Sequence, residues 1–181
     1  MNYEKSIVLY DGSGCVLRSP DADDALEIIH HLRITSDETG FMARYGDEIT
    51  MTPEDETNYL RSVKENPRAL MIAAFVDGVL AANSGFNPAA PMEKYRLRAE
   101  FGISVKRAFW GRGVGSALLE ANIEAARSAG YGQLELEVVT DNVRGIALYE
   151  KFGFQIYGTR PKSFAYRDGT YAAEHLMMLE L

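Results

Sequence analysis

Residues 105–121 read VKRAFWGRGVGSALLEA, with Gly111, Gly113 and Gly115 at every second position. Glycines at that spacing let a loop turn with its N–H groups converging. A helix beginning there adds four unpaired amide donors and the positive end of its dipole. Such a loop suits a phosphate or pyrophosphate; the bland alternative is a flexible turn that only caps a helix. Two common phosphate loops are excluded. A P-loop needs Gly-Lys-Ser or Gly-Lys-Thr, and neither occurs. A dinucleotide fingerprint needs a third glycine where this chain has Leu118.

A second group lies in residues 141–154, DNVRGIALYEKFGF. Asn142 and Tyr149 are seven residues apart, almost two helical turns, so both fall on one helix face about 10 Å apart. A phenol is a proton donor with an ordinary pKa of about 10. Read alone, Asn142 is a helix cap or first-turn residue and Tyr149 a half-buried core aromatic. Glu100 is a carboxylate on the polar face of a strand. His30 and His31 sit at adjacent helical positions and face apart, and His175 lies in the last strand in or beside the core. None of the three is assigned a ligand role.

The elements that must position these residues follow from periodicity and turn signals. Ile7–Tyr10 and Cys15–Leu17 flank Asp11-Gly12-Ser13-Gly14, a hairpin pattern. A helix is expected from Asp21 to about Ile34, with Ala22, Ala25, Leu26, Ile29 and Leu32 on its apolar face. Residues 36–50 read as a loop. Thr52-Pro53-Glu54-Asp55 starts a helix that ends before Pro67. Ala69–Val76 and Val79–Phe86 around Asp77-Gly78 make the clearest hairpin in the chain. Period-two alternation over Tyr95 to Lys106 predicts a strand with its odd positions apolar. A helix from about Gly113 to Ala129 follows, then a strand at Gln133–Val139, a helix from Asp141 to Phe152, and two strands around Asp168-Gly169. The strand–helix–strand unit implies a parallel pair with a right-handed crossover. The hairpins imply antiparallel neighbours, so the fold class is a mixed-sheet α/β or α+β domain.

Composition narrows the function classes. The chain has 181 residues and a net charge of −7. That length fits one domain over residues 1–181. Acidity argues against a nucleic-acid binder. Residues 1–90 carry a net −8 and residues 91–181 a net +1. Cys15 stands alone, so no intrachain disulfide forms, and a reducing, cytoplasmic setting is expected. Neither zinc-finger spacing nor HExxH occurs, so no metal is expected. No apolar run reaches the ~20 residues a membrane span needs.

The two segments together resemble the GNAT superfamily of acetyl-CoA-dependent N-acyltransferases, closest in style to bacterial small-molecule and Rim-type members. That family's loop pattern is (Q/R)xxGx(G/A); here Trp110 replaces the Gln or Arg. Its DNxxAxxLYxxxGF segment is matched with Gly145 in place of Ala. The likeness runs from about residue 95 to the C-terminus. It implies a central, mostly antiparallel twisted sheet with one splayed parallel strand pair and helices on both faces.

The resemblance further implies acetyl transfer from acetyl-CoA, as cosubstrate, to a primary amine of a small molecule or amino acid in a ternary complex. A peptide N-terminus is the alternative acceptor, and a non-catalytic acyl-CoA-binding module the alternative class. Gly111, Arg112, Gly113, Val114, Gly115 and Ser116 would bind the CoA pyrophosphate, with Lys106 and Arg107 close by. Ser104 and Val105 would hydrogen-bond the pantetheine arm like a missing strand, and Asn142 would contact CoA. Tyr149 would protonate the leaving sulfur. Glu100 would take the amine's proton, often through water; a bulge in its strand would bring it into phase with Val105. No metal, nucleic acid or membrane partner is implied, and the family leaves a homodimer open. The acidic first half would attract a cationic acceptor.

Overall fold

The computed structural model describes residues 1–181. Eight strands form one sheet: β1 (Glu4–Val8), β2 (Gly14–Arg18), β3 (Leu70–Val76), β4 (Val79–Pro88), β5 (Arg98–Val105), β6 (Gln133–Val139), β7 (Gln155–Ala165) and β8 (Tyr171–Glu180). Their order is β1-β2-β3-β4-β5-β6-β8-β7. Only β5 and β6 run parallel; every other neighbouring pair is antiparallel. Four helices, α1 (Ala25–Glu38), α2 (Pro53–Glu65), α3 (Val114–Ser128) and α4 (Val143–Lys151), cover it. None is long and apolar enough to cross a membrane. The sheet is the mixed, mostly antiparallel one expected, with a single parallel pair.

Local chemistry accounts for the joints. The Asp77-Gly78 turn has positive φ at both residues, 50° and 81°, as a tight hairpin requires. Thr52 caps α2: its hydroxyl accepts the Asp55 amide at 3.2 Å, and Asp55 returns a bond to the Thr52 amide at 2.9 Å. Gly130, at φ 79°, ends α3.

The larger core lies under α3, where Leu118 and Leu119 meet Phe86, Leu134 and Met177. A smaller cluster on the opposite face packs Ile28 of α1 against Ala73, Phe75 and Leu80. On that face the expected helical stripe shifts. Leu26 is 53% exposed, while Ile28 is fully buried. The helix also begins later and ends later than the periodicity suggests, following a 3₁₀ turn at Ala22–Asp24. Its last turns bury Thr35 and Ser36. Thr35 is tolerated because its hydroxyl donates to the His31 carbonyl, 3.0 Å away.

The strand expected from Tyr95 starts at Arg98, and Tyr95 belongs to a 3₁₀ turn. The reason is the partner: β4 ends at Pro88, whose rung is Ala99, and one last bond, from the Ala89 amide to the Arg98 carbonyl, closes that side of the ladder. Alternation in a sequence reports faces, not the length of the neighbour.

Candidate active site

The parallel pair is where the sheet opens. β5 and β6 share only three rungs, Arg98 with Gln133, Ala99 with Leu134 and Glu100 with Glu135. Both strands continue beyond them and diverge. On its other side β5 stays paired with β4 through Val105 in unbroken register. No bulge shifts its phase, so Glu100, Gly102 and Ser104 share one face and Ile103 and Val105 the other. Lys106 donates its amide to Ala81. Backbone groups alternate along a ladder, so those of Ile103 and Val105 face the gap, and Ser104's face β4. Consistent with this, the Val105 carbonyl accepts a bond from Trp110 Nε1 at 2.7 Å.

A cavity of about 460 Å³ occupies the gap. At one end stands the glycine loop. Gly111 and Gly113 have φ of 76° and 97°, the left-handed conformation that favours glycine. A Cβ on Gly113 would sit 3.1 Å from the Tyr10 ring. Tyr10 itself is tied down, its amide donating to the Arg112 carbonyl at 3.1 Å. The turn between β1 and β2 therefore braces the loop from behind. None of the amides from Gly111 to Ser116 bonds a backbone carbonyl, so the loop and the first turn of α3 keep free donors beside the cavity. That cradle fits a pyrophosphate.

The opposite wall is α4. Asn142 is its N-cap, its Oδ1 accepting the Gly145 amide at 3.0 Å. With this cap in place, a Cβ on Gly145 would stand 2.7 Å from Asn142 Nδ2. Asn142 is thus both a cap and a cavity-lining residue. Tyr149 is 8% exposed and packs edge-on to Phe101, centroids 6.5 Å apart, and against Phe154. Burial pushes its phenol up to about 12. Tyr149 lines the cavity together with Ser104, Val105 and the glycine loop.

Arg112 is placed differently from expectation. Its guanidinium turns away to Asp11, with Nε 2.5 Å from Oδ2, and to Ser13. It does not line the cavity. Hydrogen bonds from Ser13 and Arg112 hold the Asp11 carboxyl down to about 2. Arg112 contributes its backbone to the loop and its side chain to the brace. Glu100 is exposed and stands at the last shared rung of β5 and β6, outside the cavity lining.

Other residues near the cavity carry no role in the sequence reading. His31 is fully buried, with Nε2 2.8 Å from Ser104 Oγ and Nδ1 unpartnered. Burial, with Lys106 as a lesser cause, lowers its pKa to about 4. Its spacing from Ile28 places it on the buried stripe of α1, a signal present in the sequence. Phe41 and Met42, from the segment after α1, line the cavity away from the glycine loop. That segment is held by the hairpin tip between β7 and β8: Tyr166 donates to the Gly40 carbonyl, and Arg167 pairs with Asp47 at 2.8 Å. No group of three His, Cys, Asp or Glu side chains is placed to hold a metal ion.

Comparison with known proteins agrees with this geometry. The model of the acetyltransferase (GNAT) family matches residues 38–154. The L-amino acid N-acetyltransferase AaaT of Escherichia coli is 40% identical over 80 residues, which cover 44% of this chain and 49% of that protein. The chain thus spans about half the length of that relative. A GNAT-family acetyltransferase from Streptococcus pneumoniae superposes with a TM-score of 0.88 at 28% identity, over 92% of this chain and 99% of the other. The protein yncA of Salmonella typhimurium, solved with its cofactor acetyl-CoA, shares the fold at TM-score 0.82 and 19% identity, over 92% and 94% of the two chains. A splayed parallel pair, a glycine loop opening on the gap and a buried tyrosine across from it are thus found in a chain that belongs to the acetyltransferase (GNAT) family.

Proposed function

We propose that residues 1–181 act as one acetyl-CoA-dependent N-acetyltransferase domain. The acceptor is a primary amine of a small molecule or amino acid, acetylated by direct attack in a ternary complex. The observation that carries this reading is the joint placement, in one cavity, of free loop amides and a buried, protonated phenol.

When bound, acetyl-CoA would supply an acetyl group activated as a thioester. The amides from Gly111 to Ser116 would hold its pyrophosphate. The gap-facing backbone of Ile103 and Val105 would hold the pantetheine arm, with Asn142 alongside. The Val105 amide is the donor placed to polarise a carbonyl held there. With its pKa near 12, Tyr149 keeps its proton at neutral pH. Its O–H would be the proton donor for a thiolate sulfur held beside it. Glu100, on the same face of β5 as Ser104, would take the amine's proton through water. Tyr166 and Arg167 clasp residues 40–47, the segment that carries Phe41 and Met42 to the cavity, and a wall held in this way would favour a small acceptor over a long peptide. AaaT, an L-amino acid N-acetyltransferase, supports the same class.

The test is thiol release from acetyl-CoA with a panel of small amines and amino acids. At least one should turn over. Tyr149→Phe should lower kcat about a hundredfold with both KM values little changed. Tight acetyl-CoA binding with no turnover for any amine would overturn the reading. So would a Tyr149→Phe variant as fast as the parent.

A further inference from the structure

Among the residues that line the cavity, Arg144 is the sole arginine or lysine. Lys106 does not line the cavity, Arg107 shares the Trp110 ring at 5.6 Å, and the two neighbouring arginines are held by other groups. Arg112 is bound to Asp11 and Ser13. Arg107 is held by Glu38, through its guanidinium and through its amide, the latter at 2.7 Å from Glu38 Oε2. Arg144 belongs to none of the molecule's ion pairs.

Its seat is nevertheless defined. The guanidinium carbon lies 5.2 Å from the centroid of the Trp110 ring, a cation–π distance. Nη1 reaches to 3.9 Å from where a Cβ on Gly111 would stand, directly over the glycine loop. The indole is fixed in turn by its bond to the Val105 carbonyl. Arg144 also occupies the first turn of α4, the positive end of the helix dipole. A cation there is unfavourable without an anion nearby. A phosphate group between Arg144 and the loop amides would complement the guanidinium and both helix ends together.

We propose that Arg144 is the side chain that binds the CoA pyrophosphate, and that Trp110 is the positioning residue that holds it over the glycine loop. This rests on the acetyl-CoA reading above. A guanidinium presents a planar fork of donors suited to two phosphate oxygens, while its face stays on the indole.

Trp110 is the chain's one tryptophan, so its emission reports on the seat. The experiment titrates the full chain with CoA, 3′-dephospho-CoA and pantetheine, following that emission and, in parallel, heat. Arg144→Gln should weaken CoA and dephospho-CoA about ten- to a hundredfold and flatten the salt dependence. Pantetheine, which has no phosphate, should bind both proteins alike. Arg61→Gln, the same charge change on α2, should bind CoA as the parent does. By calorimetry, Trp110→Phe should stay within about threefold of the parent, and Trp110→Ala should fall with Arg144→Gln. Unchanged CoA affinity in Arg144→Gln would overturn the proposal. A loss seen with CoA but not with dephospho-CoA would also overturn it, since the contact would then be to the 3′-phosphate. Failure of the parent protein to bind CoA would instead overturn the acetyl-CoA reading itself.

Discussion

The two ends of the cleft are held by different means. At the glycine-loop end the shape is set mainly by the main chain, with the turn between β1 and β2 bracing it from behind. Two left-handed glycines, a helix start and an Asn142 cap that reaches three residues along the chain set the donors in place. At the far end the shape is assembled from distant segments. Phe41 and Met42 face the cavity because Tyr166 bonds Gly40 and because Arg167 pairs with Asp47 while stacking on Tyr45. Main-chain geometry at the first end leaves little freedom; exposed side chains at the second are readily exchanged. Binding of the common donor and choice of acceptor should therefore respond very differently to mutation.

The sharpest break is Gly113→Asp. A Cβ there meets the Tyr10 ring at 3.1 Å, and the φ of 97° is strained for any other residue. The new carboxylate would also face the pyrophosphate. Acetyl-CoA affinity should fall more than about a hundredfold, by analogy with a lost group of charge-assisted bonds. Calorimetry checks the affinity, and circular dichroism checks that the fold survives. Normal affinity would show that the loop is not the phosphate cradle.

Next in size is a test of what joins the two ends. His31 on α1 meets Ser104 on β5, and burial is the main cause of its pKa of about 4. In the unfolded chain the imidazole would titrate near 6.5. As pH falls, the unfolded state takes the proton first. The contribution to stability is therefore complete above about 6.5 and declines as pH falls toward 4, by about 3 kcal/mol in all. His31→Gln removes the titration and keeps a side-chain amide able to bond Ser104. Urea denaturation at pH 7.5 and pH 4.5 should show the parent losing about 2.5 kcal/mol more than the variant. Parallel losses would mean that His31 is more hydrated than its burial implies.

The same division explains what was legible beforehand. Helix α3 was readable to within a residue, because a glycine marks each end. The roles proposed for Asn142 and Tyr149 rested on a short motif whose parts lie on one helix. Arg112, by contrast, was read as a phosphate partner because it stands in the loop. Its side chain goes to Asp11, about a hundred residues earlier, and nothing in the loop encodes that. Leu26 and Ile28 both fit an amphipathic stripe; only the sheet beneath decides which is buried. Tyr10, Phe41 and Met42 carry no local sign of facing a cavity. Arg144 did carry one, a cation in the first turn of a helix, where a helix dipole disfavours it. A residue that breaks a local rule without a visible partner is a better pointer than one that merely sits in the motif.

The smallest expected effect belongs to Asp47→Ala at the far end. The pair with Arg167 is exposed on both sides, 66% for Asp47 and 56% for Arg167. Arg167 holds the Asp47 carboxyl below its usual range, yet exposed pairs contribute little and salt screens them. Losing the pair loosens the segment carrying Phe41 and Met42 without touching the loop amides. The KM for the acceptor should rise about two- to fivefold, with acetyl-CoA affinity unchanged. High salt should do the same to the parent and have no further effect on the variant. If acetyl-CoA affinity fell along with acceptor binding, the two ends would be one coupled unit, and the contrast between a fixed donor end and an adjustable acceptor end would fail.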